Sequence, residues 1–265
     1  MVEELVVAER HGACLVLRLN RPEAGNAISR EVAEALGAHL RACTGAAMPK
    51  ALVITGTGAR YFCTGGDVKA YARLRSAEDL DTVFGLMREV CDALERLPCP
   101  VIAAINGFAI GGGAELALAC DMRFAEASAQ IGFPQSRLGV LPGWDGMQRL
   151  LDTVGRAAAT RLLFTGKRVS AQEARELGLV DEVVPDGTVL RRALEMADTC
   201  AEVAPLAIGA IKLALKDAAR AGTPQAVAET RVRTRESFAR LWFTEDHAEA
   251  ERAFAEKREP KFTGR

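Results

Sequence analysis

Two glycine-rich segments follow apolar runs: Phe62-Cys63-Thr64-Gly65-Gly66-Asp67 and Asn106-Gly107-Phe108-Ala109-Ile110-Gly111-Gly112-Gly113-Ala114-Glu115. A strand that runs through glycines into a helix leaves backbone N–H groups free, and these attract an anion. Neither segment has the GxGxxG or GxxxxGK[ST] spacing of nucleotide-binding loops. The glycines therefore predict an anion site of another kind, although they equally suit tight turns and close packing of a helix on a strand.

Glu115 lies three residues after Gly112, in the first turn of the helix that this segment predicts. Helical side chains lean toward the N-terminus, so its carboxylate is expected near the free N–H groups. This arrangement would place an acid/base group beside an anion site. A glutamate in the first helical turn is also favoured for helix stability alone.

The elements that must position these residues alternate between strands and helices. Ser29 is the expected N-cap of a helix that runs to about Cys43, and Pro98 ends a second, amphipathic helix. The expected elements are a hairpin of Val2–Arg10 and Ala13–Leu19, strands at Ala51–Thr55, Val101–Ile105 and Asp121–Ala125, and helices at 29–43, 77–97 and Ala114–Cys120.

From Trp144 onward the pattern is mostly helical, with breaks at Thr165-Gly166, Gly178 and Pro185-Asp186-Gly187. Strands and helices followed by helices alone predict an α/β core with a helical C-terminal module. We place the core at residues 1–200 and the module, with roles in oligomerisation and pocket cover, at 201–265. The sequence shows no internal repeat.

Composition excludes several classes of function. The net charge of −1 disfavours nucleic-acid binding, and the apolar runs are too short to span a membrane. Seven scattered cysteines and three histidines form no zinc or disulfide pattern, so no metal is expected and a cytoplasmic location is favoured. No GxSxG elbow occurs, and Cys63 is interpreted as a small buried thiol.

The linked motifs Asn20-Arg21-Pro22-Glu23, Phe62–Asp67, Ile105–Asp121, Pro142–Leu150 and Ser170–Pro185 follow one another in the order found in the crotonase (enoyl-CoA hydratase/isomerase) superfamily. The resemblance covers essentially the whole chain. It implies a crotonase-like core, a spiral of (ββα) repeats, that binds an acyl-coenzyme A thioester. It also places the two oxyanion-hole amides of the family at Gly66 and Gly112, where they would stabilise a thioester enolate.

Glu115 matches one of the two catalytic glutamates of the family's hydratases, and Gln135 stands where the second is expected. A glutamine orients water but exchanges no proton near neutral pH. Three alternatives follow: Glu115 performs both proton transfers of a 2-enoyl-CoA hydratase, Glu115 shuttles one proton as a double-bond isomerase, or Asp145 substitutes. A non-catalytic acyl-CoA-binding protein is a further alternative.

The resemblance also implies how coenzyme A is held. Backbone around Ala24–Ala27 would meet the adenine end, while Asp67, Val68 and Lys69 would shape the acyl entrance. Phe254 and Lys257, from the same or a neighbouring subunit, would close over the cofactor. No separate cofactor is implied, because coenzyme A is part of the substrate. Family members commonly form trimers or hexamers of one chain, in fatty acid metabolism among other pathways.

Overall fold

The computed structural model describes residues 4–71 and 74–265. Its first two strands, β1 (Val6–His11) and β2 (Cys14–Leu19), form the expected antiparallel hairpin, with Gly12 turning at φ +58°. Helix α1 (Arg30–Ala42) begins where the sequence indicates, because the Ser29 hydroxyl accepts a hydrogen bond from Val32 N–H. The start of the predicted first strand, Val2-Glu3, lies outside the described residues.

The remaining elements follow in chain order. The strands are β3 (Ala51–Gly56), β4 (Tyr61–Cys63), β5 (Val101–Ile105), β6 (Phe108–Ile110), β7 (Met122–Glu126), β8 (Gln130–Gly132), β9 (Arg168–Ser170) and β10 (Glu182–Val184). The helices are α2 (Val68–Tyr71), α3 (Ala77–Arg96), α4 (Gly112–Leu118), α5 (Gly146–Thr165), α6 (Ala171–Glu176), α7 (Val189–Ala201), α8 (Pro205–Arg220), α9 (Pro224–Trp242) and α10 (Glu245–Glu256).

Two sheets share these strands. A six-stranded sheet has the order β1-β2-β3-β5-β7-β10, and a four-stranded sheet has the order β4-β6-β8-β9. Each turn of the chain adds one strand to the large sheet, one to the small sheet and then helical segments: β3-β4-α2-α3, β5-β6-α4 and β7-β8-α5. The strands added by successive turns pair in parallel. This spiral of strand–strand–helix units confirms the predicted α/β, crotonase-like fold.

The central strands of the large sheet, β3 and β5, are buried on both faces, which explains why they are almost wholly apolar. On β3, Leu52 and Ile54 belong to the core between the two sheets, together with residues of α1 and α3. Val53 points to the opposite face, where Ala193 and Ala197 of α7 cover the sheet. These two layers thus hold β3 and β5, each of which is followed in the chain by a strand of the small sheet, β4 or β6.

The chain after Trp144 is mostly helical, as expected, but two short strands that the sequence did not indicate interrupt it. β9 pairs antiparallel with β8 at the edge of the small sheet, and β10 pairs in parallel with β7 at the edge of the large one. Each strand has three residues, too few for a period-two pattern to stand out from its surroundings. The division of the chain near residue 200 stays a prediction; α7 ends at Ala201 and α8 begins at Pro205.

Helix α8 packs beside the end of α3, α9 packs on α8, and α10 contacts α9. Lys212 of α8 donates to the carbonyls of Leu94 and Cys99, at 2.8 and 3.2 Å, and forms an ion pair with Asp121. The chain end folds back onto α10, where the buried Asp246 carboxylate accepts hydrogen bonds from Thr263 and Gly264 N–H. Within the described residues, no helix combines the length and apolarity needed to cross a bilayer.

Candidate active site

The two glycine segments lie side by side because they follow neighbouring strands, β4 and β6. A Cβ atom built on Gly65 would lie 2.7 Å from the backbone nitrogen of Gly112. Ile28 N–H donates to Gly65 O, and Asp67 N–H donates to Ile28 O. The backbone groups of the residues on either side of Gly66 are therefore hydrogen-bonded to Ile28. Among residues 4–71 and 74–265, neither Gly66 N–H nor Gly112 N–H has a backbone acceptor. The structure therefore brings together the two amides expected from the sequence.

Close backbone approach explains why these segments need glycine. Gly65 has φ +91°, in the left-handed region that favours glycine. A Cβ atom on Gly113 would lie 2.0 Å from the carbonyl oxygen of Cys63, so any side chain there would force the first turn of α4 away from β4.

Glu115 points from the first turn of α4 into the interior and is 1% exposed. Its Oε2 accepts hydrogen bonds from Trp144 N–H and Gly146 N–H, both at 2.9 Å. Its Oε1 accepts one from Gln135 Nε2 at 3.0 Å. Two backbone donors thus fix the carboxylate through one oxygen, and the other oxygen keeps a lone pair for a proton.

Burial raises the pKa of Glu115 above its ordinary value of 4.5. The hydrogen bonds from Trp144, Gly146 and Gln135 favour the ionised form and offset this effect in part. A buried carboxyl with a raised pKa is suited both to take up a proton and to return it near neutral pH.

Gln135 reaches Glu115 from the 3₁₀ helix Pro134–Leu138, which follows β8. The residue is 7% exposed, and its Oε1 atom has no hydrogen-bond partner among the described residues. A buried amide oxygen normally has a donor. The unpaired acceptor beside the carboxylate can accept a hydrogen bond from a water or a hydroxyl group.

Three aromatic rings, which the sequence did not single out, surround the glycines. Trp144 is 2% exposed, and a Cβ atom on Gly112 would lie 2.5 Å from its Cη2 and Cζ3 atoms. The Tyr71 ring lies against Gly66 in the same way, 2.2 Å from a Cβ atom built there, and its centroid is 5.1 Å from that of Phe84. The sequence signal was weak: a tryptophan between glycines in Pro142–Gly146.

Asp145 is exposed and lies at the N-cap position of α5 with φ +61°. The capping hydrogen bond expected for an aspartate at a helix start is absent from the described structure around it. Its two neighbours, Trp144 and Gly146, supply the N–H groups that hold Glu115. The structure thus places the backbone of this turn at the site and the Asp145 carboxylate in solvent.

The three residues expected at the acyl entrance differ in exposure. Asp67 accepts a hydrogen bond from Arg21 at 3.1 Å and one from Ala70 N–H. Burial acts to raise the pKa of Asp67, but these hydrogen bonds outweigh it and hold the pKa below its usual range. Val68 is 71% exposed, and Lys69 is also exposed. Asp67 therefore fixes the start of α2, while the other two side chains face solvent.

The segment proposed for adenine binding runs beside the first glycine loop. Ala24 is half-buried and ends a 3₁₀ turn, and Ala27 is buried. Thr64 N–H donates to Gly25 O at 3.1 Å, which ties this segment to the loop that carries Gly66. The structure thus brings Ala24 and Ala27 to the same side of the molecule as the two amides.

Phe254 and Lys257 lie at the end of α10. Phe254 is 89% exposed, and Lys257, also exposed, ends the helix with φ +53°. Within a single chain Phe254 therefore covers little surface, and the role of both residues over coenzyme A stays a prediction.

The thiols offer no competing chemistry. All seven cysteines are free, and burial raises the pKa of Cys63, beside the glycine loop, to about 12. Cys63 therefore remains protonated and is a poor nucleophile. The described residues contain no cluster of three or more side chains able to hold a metal ion.

Comparisons with known proteins agree with this geometry. The Enoyl-CoA hydratase/isomerase family matches residues 9–265. The 2,3-dehydroadipyl-CoA hydratase of Escherichia coli (strain K12) is 37% identical over 265 residues, with 100% of both chains covered. The carnitinyl-CoA dehydratase of Proteus mirabilis (strain HI4320) is 36% identical over 254 residues, with 96% of each chain covered.

Among solved structures, the enoyl-CoA hydratase from Bacillus anthracis superposes with a TM-score of 0.92 at 33% identity, covering 99% of this chain and 100% of that one. A family match over nearly the full length, relatives of equal length and a shared fold agree: this chain belongs to the enoyl-CoA hydratase/isomerase family of the crotonase superfamily.

Proposed function

We propose that the protein hydrates a 2-enoyl-CoA thioester. Gly66 N–H and Gly112 N–H would receive the negative charge that develops on the thioester oxygen when water adds to the conjugated double bond. Each such donor contributes about 3 kcal/mol to stabilising a charged transition state. Both N–H groups lack a backbone acceptor within the described residues, and Gly112, at the start of α4, lies beside the loop that carries Gly66, which supports this role.

The observation that carries the proposal is the unpaired Oε1 atom of Gln135 next to Glu115. A water between them would donate one hydrogen bond to Gln135 Oε1 and the other to Glu115 Oε1. Its oxygen would then bond to C3 while its proton passes to Glu115, and the electrons of the double bond would move toward the thioester oxygen. Glu115 would return the proton to C2, which restores the carboxylate and completes the addition of water.

A second candidate is an enoyl-CoA double-bond isomerase. The chain has one carboxylate at the positions matching the two glutamates of the hydratases, and isomerisation needs one base to move a proton between C2 and C4. The unpaired Gln135 oxygen favours hydration, because isomerisation has no use for a bound water. An acyl-CoA-binding protein without turnover is the remaining alternative.

The three candidates separate in assays of the purified protein. With crotonyl-CoA, hydration removes the enoyl absorbance; with a 3-enoyl-CoA, isomerisation creates it. We expect turnover of crotonyl-CoA, and Glu115→Gln should reduce it by about 10²–10⁴-fold, the usual contribution of a general acid/base, with acyl-CoA affinity retained. Turnover near wild-type rates in this variant would remove Glu115 from the mechanism. Binding of coenzyme A thioesters without either signal would favour the non-catalytic alternative.

We further propose that the substrate is held as the resemblance implies. Backbone near Ala24 and Ala27 would contact the adenine end, and Asp67, Val68 and Lys69 would border the acyl entrance. Phe254 and Lys257 would act across the contact between subunits of a homotrimer or homohexamer. The exposure of Phe254 supports a role outside its own chain.

A further inference from the structure

The rings around the two glycines form a wall with defined members. One of the chain's two tryptophans, Trp144, contacts Gly112, and one of its two tyrosines, Tyr71, contacts Gly66. Phe84 of α3 extends this wall: the centroid of its ring is 5.1 Å from that of Tyr71, and the ring lies within 2.5 Å of a Cβ atom built on Gly143, the residue before Trp144. Through this contact, α3 packs directly against the turn of residues 143–146.

The wall is held in place by polar contacts of its own. Tyr71 Oη donates to Ile28 O at 3.1 Å. The backbone oxygen of Trp144 accepts from Arg149 Nη1 at 2.6 Å, and Arg149, with 4% of its side chain exposed, also forms an ion pair with Glu95. The bond to Arg149 fixes the backbone of Trp144, and its side chain, 2% exposed, has little room to move aside for a ligand.

The groups around the site differ in their exposure to solvent. Gly66 and Gly112 are half-buried, whereas Glu115 and Trp144 are 1% and 2% exposed. A thioester oxygen at the two amides and a C2 atom near Glu115 place the acyl carbons along Trp144, because this residue contacts Gly112 through its ring and Glu115 through its N–H. By burial, the two glycines lie nearer to solvent than Glu115 and the indole do.

We infer that Trp144 sets the acyl length that the site accepts and that the substrate is a short-chain acyl thioester. The inference rests on the proposed function in that the ligand is an acyl-CoA, but it concerns the shape of the pocket rather than the reaction. Without a barrier, each added methylene would tighten binding by about fourfold. If the indole blocks the end of the pocket, longer acyl chains should instead bind more weakly, which a comparison of affinities measures.

Two readouts test the pocket and the reaction separately. Calorimetric titration with butyryl-CoA and decanoyl-CoA, which cannot be hydrated, measures fit alone. Hydration of crotonyl-CoA and 2-decenoyl-CoA measures kcat/KM. The variants are Trp144→Phe, which removes the ring atoms in contact with Gly112, and Trp144→Ala. Both keep the backbone N–H that binds Glu115, and Phe243→Ala, at an 86% exposed aromatic, is the matched control.

We expect the wild type to bind butyryl-CoA more tightly than decanoyl-CoA and to prefer crotonyl-CoA by about 100-fold in kcat/KM. Trp144→Phe should reduce both preferences by about tenfold or more, while Phe243→Ala should leave them unchanged. If Trp144→Ala does not fold, as a thermal melt would show, Trp144→Phe carries the test.

Tighter wild-type binding of decanoyl-CoA than of butyryl-CoA, or an unchanged preference in a folded Trp144→Phe variant, would overturn the inference. A preference for butyryl-CoA that Trp144→Phe relaxes, in a protein that turns over neither enoyl substrate, would uphold the pocket and reject the proposed reaction.

Discussion

At the residue scale, Glu115 and Gln135 form one hydrogen-bonded pair in which a single member can exchange protons. Two backbone N–H groups hold Oε2 of the buried carboxylate, and the Gln135 amide is fixed by its bond to Oε1. A glutamine here keeps the geometry of a two-carboxyl site while removing one of its two charges. The pH dependence of turnover should therefore report the ionisation of one buried carboxyl, that of Glu115.

Because burial raises the pKa of Glu115 in the folded protein, its ionisation opposes folding. The stability that the neutral carboxyl contributes is present below its ordinary pKa of 4.5 and is lost as pH rises through the raised value. Glu115→Gln removes this titration, so thermal melts across pH should show the variant gaining stability relative to wild type above pH 4.5. A difference that is constant with pH would contradict the shift. The acid limb of the kcat/KM profile should likewise lie above 4.5.

Gln135→Glu places a second carboxyl at hydrogen-bond distance from Oε1 of Glu115. Two carboxyls this close share a proton, which raises one apparent pKa further. We expect the acid limb of the pH profile to move to higher pH and crotonyl-CoA hydration to increase, as the added carboxyl can protonate C2. Steady-state rates across pH provide the measurement. An unmoved limb would show that position 135 does not face the base.

At the element scale, the turn before α5 connects the site to an ion-pair cluster. Arg149 donates to Trp144 O and pairs with Glu95 and Asp92, while Lys216 and Arg220 of α8 also pair with Glu95. The buried guanidinium thus ties α5 to α3, and Glu95 ties both to the C-terminal helices. The position of Trp144 depends on this tie.

Arg149→Met should cost about 3–5 kcal/mol of unfolding free energy, because it removes one partner of a buried ion pair and leaves Trp144 O without its donor. Urea unfolding measures the change. Arg156→Met, an exposed arginine on the same helix, should change stability by less than about 0.5 kcal/mol. Equal effects of the two substitutions would show that the buried pair contributes no more than a solvated side chain.

Element boundaries were predictable where the chain carries a strong local signal. Ser29 as N-cap, the amphipathic period of α3 and the apolar run of β3 all led to the observed elements. The three-residue strands of the small sheet gave no such signal, since tertiary pairing rather than local preference holds them. Trp144 and Tyr71 were missed for a related reason: their contacts with Gly112 and Gly66 exist only after distant segments pack.

At the scale of the whole molecule, a spiral without detectable sequence repeats delivers the site. The segments after β4, β6 and β8 carry Gly66, then Gly112 with Glu115, then Gln135. The resemblance to a family predicted these positions, but residue patterns alone could not, because each turn is equivalent only in its backbone path. Side chains that differ from turn to turn hide the repeat.

The fold-back of the chain end should depend on Asp246. Its buried carboxylate accepts hydrogen bonds of 2.7 and 2.9 Å from Thr263 and Gly264 N–H. Asp246→Ala should cost about 2 kcal/mol or more and release the last residues to limited proteolysis. Asp217→Ala, at an exposed ion pair with Arg233, is the control and should cost less than about 1 kcal/mol. A protected tail in the Asp246 variant would contradict this role.

The parallel pairing of β4 with β6 has a consequence for how ligand binding and stability are linked. The ladder between these strands ends at Cys63 and Ala109, three residues before Gly66 and Gly112, so the closeness of the two amides depends on this pairing. Local opening of the small sheet must abolish both donors at once. A bound acyl-CoA should therefore slow hydrogen exchange most strongly in β4, β6 and β8, so that protection of these three strands becomes a direct measure of occupancy at the amides.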